Sequence, residues 1–175
     1  MTLDWPWCLP ANGISGTSLM RTLILTAFIA FLIDQISKYG VIYGLGLIDS
    51  REIAVLPPVL VFQFGYNTGI NFGLFGGTSD YARWILIALA LAICTALLVW
   101  ARKGFDRKVQ FISAGMVIGG ALGNVIDRFF HPGVLDFLNM SCCGINNPYI
   151  FNIADVFIFA GAIGIAIFTG QKKPA

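Results

Sequence analysis

Residues 53–79, IAVLPPVLVFQFGYNTGINFGLFGGTS, carry no charge over 27 positions, and whether they cross a bilayer decides the architecture. Hydropathy alone would allow a membrane span. The stretch, however, holds Pro57-Pro58, five glycines, two threonines, Gln63, Asn67 and Asn71, and lipid cannot satisfy the backbone groups exposed at such breaks. Val59 to Phe64 reads instead as a strand, and Gly65 to Gly77 as turns around more extended chain. A small sheet-like lobe at the membrane surface is expected here.

On either side of it the chain is a membrane protein by composition. At 57% hydrophobic and 11% charged residues over 175 positions, a water-soluble fold would lack the polar surface to cover itself. Residues 84–101 and 109–126 are each 18 uncharged positions, and 18 helical residues reach roughly 27 Å, enough to cross a bilayer core. Residues 156–171 are another uncharged run, extendable to 151 through Asp155, and residues 22–43 form a fourth span carrying Asp34 and Lys38. The expectation is a polytopic membrane protein of one domain. It has four transmembrane α-helices at about 22–43, 84–101, 109–126 and 151–171, an extracytoplasmic β-lobe at about 44–83, and an N-terminal extension at 1–18. That extension does not read as a cleavable signal, because the basic residue is Arg21 and Asp34 interrupts the apolar run after it. Met1 and Met20 both stand as candidate starts.

Basic residues orient the bundle. Arg102, Lys103, Arg107 and Lys108 crowd the connection between the second and third spans, Lys172 and Lys173 come after the fourth, and Arg21 precedes the first. Four spans put all seven on the cytoplasmic side; a fifth would strand Arg21. A net charge of +2 with a single histidine excludes a nucleic-acid footprint and a histidine-rich metal site. The four cysteines show no CxxC pair. The small-residue spacings Gly115-x3-Gly119-x3-Gly123 and Ala160-x3-Gly164 mark expected close helix contacts.

With both termini inside, Asp34, Asn124, Asp127, Arg128, Asp136, Asn152 and Asp155 all fall near the outer leaflet, with Asn67 in the lobe on that side. Ionisable groups near bilayer depth are costly and call for a reason. Asp34 and Lys38 are i,i+4 and can pair, and Arg128 can pair with Asp127 or Asp136; both pairings could be structural only. Asn124 and Arg128 also share a helix face, suiting either a packing network or a site. With Arg128 taken as engaged and His131 a single weak candidate, Asp136 and Asp155 are left with no cation in reach by sequence. If close, they share a proton, giving one group that deprotonates water and one that protonates a carbonyl. The same acids could serve proton-coupled transport, or only packing, so hydrolase, transporter and structural protein all stay open on residues alone.

The order of blocks resembles the lipoprotein signal peptidases, or signal peptidase II family. The resemblance rests on Asp34-Gln35-Ile36-Ser37-Lys38, on Asn67-Thr68-Gly69-Ile70-Asn71-Phe72, and on Gly119-Gly120-Ala121-Leu122-Gly123-Asn124-Val125-Ile126-Asp127-Arg128. It continues through Val134-Leu135-Asp136-Phe137 and Phe151-Asn152-Ile153-Ala154-Asp155. It implies an aspartic endopeptidase of the bacterial inner membrane, acting on prolipoproteins whose lipobox cysteine carries diacylglycerol and cutting on the N-terminal side of that cysteine. By resemblance Asp136 and Asp155 are catalytic. Asn124 and Arg128 contact the substrate, Asn67 and Asn152 help orient it, and Asp34, Lys38, Gly120 and Asp127 support the site. No metal or organic cofactor is implied, the expected partners are prolipoproteins and membrane lipid, and the expected state is a monomer. Asn71 departs from the family, which usually has a small residue there; this bears on substrate preference more than on chemistry. Catalytically silent lipoprotein binding and small proton-linked transport are the alternatives.

Overall fold

The computed structural model describes residues 16–69, 80–142, 144 and 147–169. Asn71, Lys172, Lys173 and most of the N-terminal extension lie outside the described residues. Helix α1 runs Gly16–Tyr39 and continues through a π-helical turn, Gly40–Gly44. A one-turn helix α2 (Leu47–Ser50) leads into strands β1 (Glu52–Leu56) and β2 (Leu60–Asn67). Helices α3 (Asp80–Gly104) and α4 (Lys108–Phe130), strand β3 (Val134–Asn139) and helix α5 (Ile153–Thr169) complete the chain order.

Among the described residues three helices are long and apolar enough to cross a membrane, Gly16–Gly44, Tyr81–Gly104 and Lys108–Phe130; the apolar Ile153–Thr169 is shorter. All three begin before, and end after, the expected spans. Residues 16–18 are helical rather than part of an extension, because uncharged Gly16, Thr17 and Ser18 do not break the periodicity. The strand expected at 59–64 is β2, which runs on through Gly65 to Asn67 where turns were expected because β3 pairs with it there, and its partner β1 at 52–56 was not assigned from sequence.

Helix α4 is the centre of the bundle, packed on α1, α5 and α3. Its small residues let backbones meet. A Cβ at Gly115 would lie 2.7 Å from the Leu23 carbonyl oxygen, one at Gly119 would collide with that of Ala27, and one at Gly123 would lie 2.5 Å from Asp34 Oδ2. Positions 115, 119 and 123 thus form a single stripe against α1. On α5 the expected contact residue Ala160 is exposed; Gly161 and Gly164 meet Ser113 instead, because the helical phase turns 160 outward. Residues 120 and 113 of α4 meet 154 and 161 of α5, so these helices run antiparallel.

The sheet is antiparallel in the order β1-β2-β3. Strand β3 was not foreseen, because Val134 to Asn139 is buried on both faces and shows no apolar–polar alternation. Its start is set by Pro132: the residue before a proline avoids helical geometry, and His131 is extended at φ −128°. Ile42 and Leu47 pack with Leu135 and Phe137, tying the sheet to the end of α1. Cys142, in the loop after β3, is disulfide-bonded, while Cys94 is a buried free thiol.

Candidate active site

Lys38 lies at the centre of the polar cluster, fully buried. Its Nζ is 2.7 Å from Asp34 Oδ2 and 2.7 Å from Asp127 Oδ2, and donates to Asn124 Oδ1 at 3.2 Å. Asp127 therefore pairs with Lys38, not with its neighbour Arg128, because adjacent helical residues point about 100° apart. Gln35, to which the sequence assigned no role, donates to Asp34 Oδ2 (3.1 Å) and Asp127 Oδ1 (3.3 Å). Its only advance signal was a polar amide beside Asp34 within an apolar span.

Each aspartate of this cluster spends its remaining capacity on one backbone N–H elsewhere. Asp34 Oδ1 accepts from Ala154 N at 2.8 Å, and Asp127 Oδ2 from Leu135 N at 3.2 Å. Ala154 immediately precedes Asp155, and Leu135 immediately precedes Asp136. The buried ion cluster thus holds the two segments that carry the outer carboxylates. Asp34 also places negative charge at the N-terminus of α5, where the helix dipole favours it.

Asn152 joins those carboxylates. Its side-chain amide donates to Asp136 Oδ1 and to Asn124 Oδ1, and its backbone N–H donates to Asp155 Oδ2 at 3.2 Å. Asn152 Oδ1 accepts from Asp155 N at 3.0 Å, closing a reciprocal cap on the first turn of α5. Asn124 donates to Asp155 Oδ1 at 3.0 Å. Among the described residues neither Asp136 nor Asp155 forms a salt bridge. Asp136 is buried, and that burial, together with the negative charge of Asp155, raises its carboxyl from the ordinary 3.8 to about 7. Hydrogen bonds from Asn67 and Asn152 and the charge of Lys38 work in the opposite direction.

Asn67 reaches Asp136 from β2, where Gly65 pairs with Asp136 and Asn67 with Val134. Its Oδ1 accepts from Gly69 N at 3.0 Å, turning the chain toward α3. Gly69 has φ +73°, and a Cβ there would lie 2.6 Å from Leu86 Cδ1 and 3.7 Å from Arg128 Nη2. Arg128 donates to the Asn124 carbonyl at 3.2 Å and so borders the site without pairing with either outer acid. A cavity of about 190 Å³ opens over Asp136, walled by Gly65, Asn67, Thr68, Tyr149 and Ile150. Gly120 acts at the α4–α5 contact: a Cβ there would lie 2.5 Å from the Ala154 carbonyl oxygen, so glycine lets α5 seat at this depth. Two acids held together, one of them titrating near neutral pH, can activate a water and a carbonyl at once.

Residues 26–170 match the model of the family described as Signal peptidase (SPase) II. A protein of Methylobacterium radiotolerans named lipoprotein signal peptidase is 35% identical over 84% of this chain and 84% of its own length. One of the same name from Trichormus variabilis is 35% identical over 88% and 92%. A solved structure described as a bacterial membrane enzyme, 27% identical, superposes with a TM-score of 0.74 over 87% of this chain and 95% of that one. The chain belongs to the signal peptidase II family, a family of aspartic proteases that process lipoproteins in bacterial membranes.

Proposed function

We propose that the chain removes signal peptides from diacylglyceryl-modified prolipoproteins, cutting before the lipid-bearing cysteine, with Asp136 and Asp155 as its acid pair. The observation that carries this reading is Asn152, which hydrogen-bonds both carboxylates at once. Asp136 holds the shared proton, in keeping with its raised pKa of about 7. Asp155 takes a proton from water, the resulting hydroxide attacks the scissile carbonyl carbon, and Asp136 gives its proton to the carbonyl oxygen. Collapse of the tetrahedral intermediate breaks the C–N bond; the proton on Asp155 goes to the departing cysteine nitrogen and Asp136 recovers its own. Asn67, in the cavity wall, and Arg128, whose guanidinium lies beside Gly69, hold the substrate backbone, while Asn124 aims Asp155. Asp34, Lys38, Asp127 and Gly120 keep the two acid-bearing segments in place. No metal or organic cofactor enters this scheme.

The same reading gives four spans with both termini cytoplasmic and the acids at the outer face of the inner membrane. Supporting it, Arg102, Lys103 and Lys108 lie at the α3–α4 junction, the opposite end of α4 from Asn124 and Asp127. Helix α5 starts at the acids, and the Gln110 side chain donates to the Phe168 carbonyl near its far end. Seventeen residues reach roughly 26 Å, about one bilayer core. One chain supplies every residue of the site, so a monomer suffices, and the substrate's acyl chains stay in the lipid. The test is mass analysis of products from the purified protein in lipid vesicles. A single cut before the cysteine is expected for diacylglyceryl-modified prolipoprotein and none for the unmodified form; equal cleavage of both would contradict the substrate assignment.

A further inference from the structure

Between Glu52 and Gln63 the β1–β2 hairpin holds ten consecutive apolar residues, Ile53 to Phe62. A strand with one wet face alternates apolar and polar side chains. Here both faces are apolar, although only the base of the hairpin is covered: Ile53 and Phe62 pair with each other and pack toward Ile42 and Leu47. From Ala54 to Val59 every residue is exposed, with Val55 at 47%, Leu56 at 62% and Val59 at 41%. In water such a tip would be a template for aggregation.

Its position supplies a different neighbour. Strand β2 leaves the end of α4 at Asn67, whose carbonyl lies against Gly133, and reaches Leu60 seven residues away, roughly 23 Å at strand rise. From the end of α4 the strand crosses to the end of α1, where Phe62 packs on the Ile42–Leu47 cluster, and since helices pack about 8–10 Å apart the residues beyond Phe62 carry the tip past α1. Beyond α1 lies the medium facing Phe28, Ile29 and Ile36, exposed along that helix. Pro57 and Pro58 form the turn and bring no N–H groups, which removes two donors that lipid could not satisfy. Arg51 and Glu52 stand at the base, where a headgroup layer would meet charge.

We infer that the hairpin tip is a membrane anchor, seating Val55, Leu56 and Val59 in the outer lipid leaflet beside the bundle. It fixes the height of β2, and through the β2–β3 pairing that of Asp136, relative to the bilayer. The consequence for cleavage rests on the proposed function; the lipid contact does not. The test places p-benzoylphenylalanine at position 56 or at position 52 of the full chain in phosphatidylcholine–phosphatidylglycerol vesicles and irradiates them, with and without added prolipoprotein. Lipid adducts at least about tenfold more abundant at position 56 than at position 52, with or without prolipoprotein, are expected for an embedded apolar tip. Equal yields at the two positions, or adducts at position 56 that form only with the prolipoprotein, would overturn the anchor.

Discussion

Asp136 has an environment that ordinary surface carboxylates lack: it is buried, faces Asp155, and is held by two amides rather than a cation. Its folded pKa of about 7 against 3.8 unfolded means that the folded state binds the proton more tightly. The stability this confers is complete below about 3.8 and is lost as pH rises through about 7. Asp136→Asn, which cannot ionise, is therefore expected to be inactive yet more stable than wild type at pH 8. At about 1.4 kcal/mol per pKa unit the advantage has an upper bound of about 4 kcal/mol. Thermal unfolding of both proteins at pH 4 and pH 8 measures it; equal midpoints at pH 8 would show that folding does not raise the Asp136 carboxyl above its unfolded value. Cleavage by wild type is expected to decline as pH rises through about 7, with the apparent value belonging to the acid pair.

The helices and strands are joined by Lys38 and its two carboxylates, which link α1 to α4 and, through Ala154 N and Leu135 N, to α5 and β3. Lys38→Met leaves two buried acids facing each other, and removing one partner of such a cluster costs about 3–5 kcal/mol. A lowered unfolding midpoint together with lost activity is expected. Asp34→Asn keeps an oxygen for Ala154 N, so a smaller loss is expected; a ranking with Lys38→Met the milder would contradict the shared-cation arrangement. Part of this level was legible in sequence: the i,i+4 spacing of Asp34 and Lys38, and the strand at about 59–64 beyond the proline break, though not its partner β1 or its continuation to Asn67. Strand β3 was not, because a strand buried on both faces loses the period-two signature. The Asp127–Lys38 pairing was also hidden, since it depends on how α1 and α4 dock and not on spacing within either helix.

The polar residues named from sequence, Asp34, Lys38, Asn67, Asn124, Asp127, Arg128, Asp136, Asn152 and Asp155, come together from separate stretches of the chain at one end of the molecule. The packing brought them there: α1 runs parallel to α4 and α5 antiparallel, so acids at the ends of α1 and α4 meet the start of α5. Sequence could not supply the connecting hydrogen bonds, above all the double role of Asn152, because one amide's reach is fixed only once β3 and α5 are docked. The orientation carries its own test. Trypsin outside right-side-out vesicles is expected to spare Arg102, Lys103, Arg107 and Lys108, and in inverted vesicles to cut there; the reverse pattern would place the acids inside. The acid pair itself is tested most directly by single-turnover cleavage of diacylglyceryl-modified prolipoprotein in vesicles by wild type, Asp136→Asn and Asp155→Asn, each first shown to be folded. Loss of at least about 10³ in rate for both variants is expected of groups that move the reacting protons, and a folded variant of either aspartate that retained wild-type rate would contradict the account.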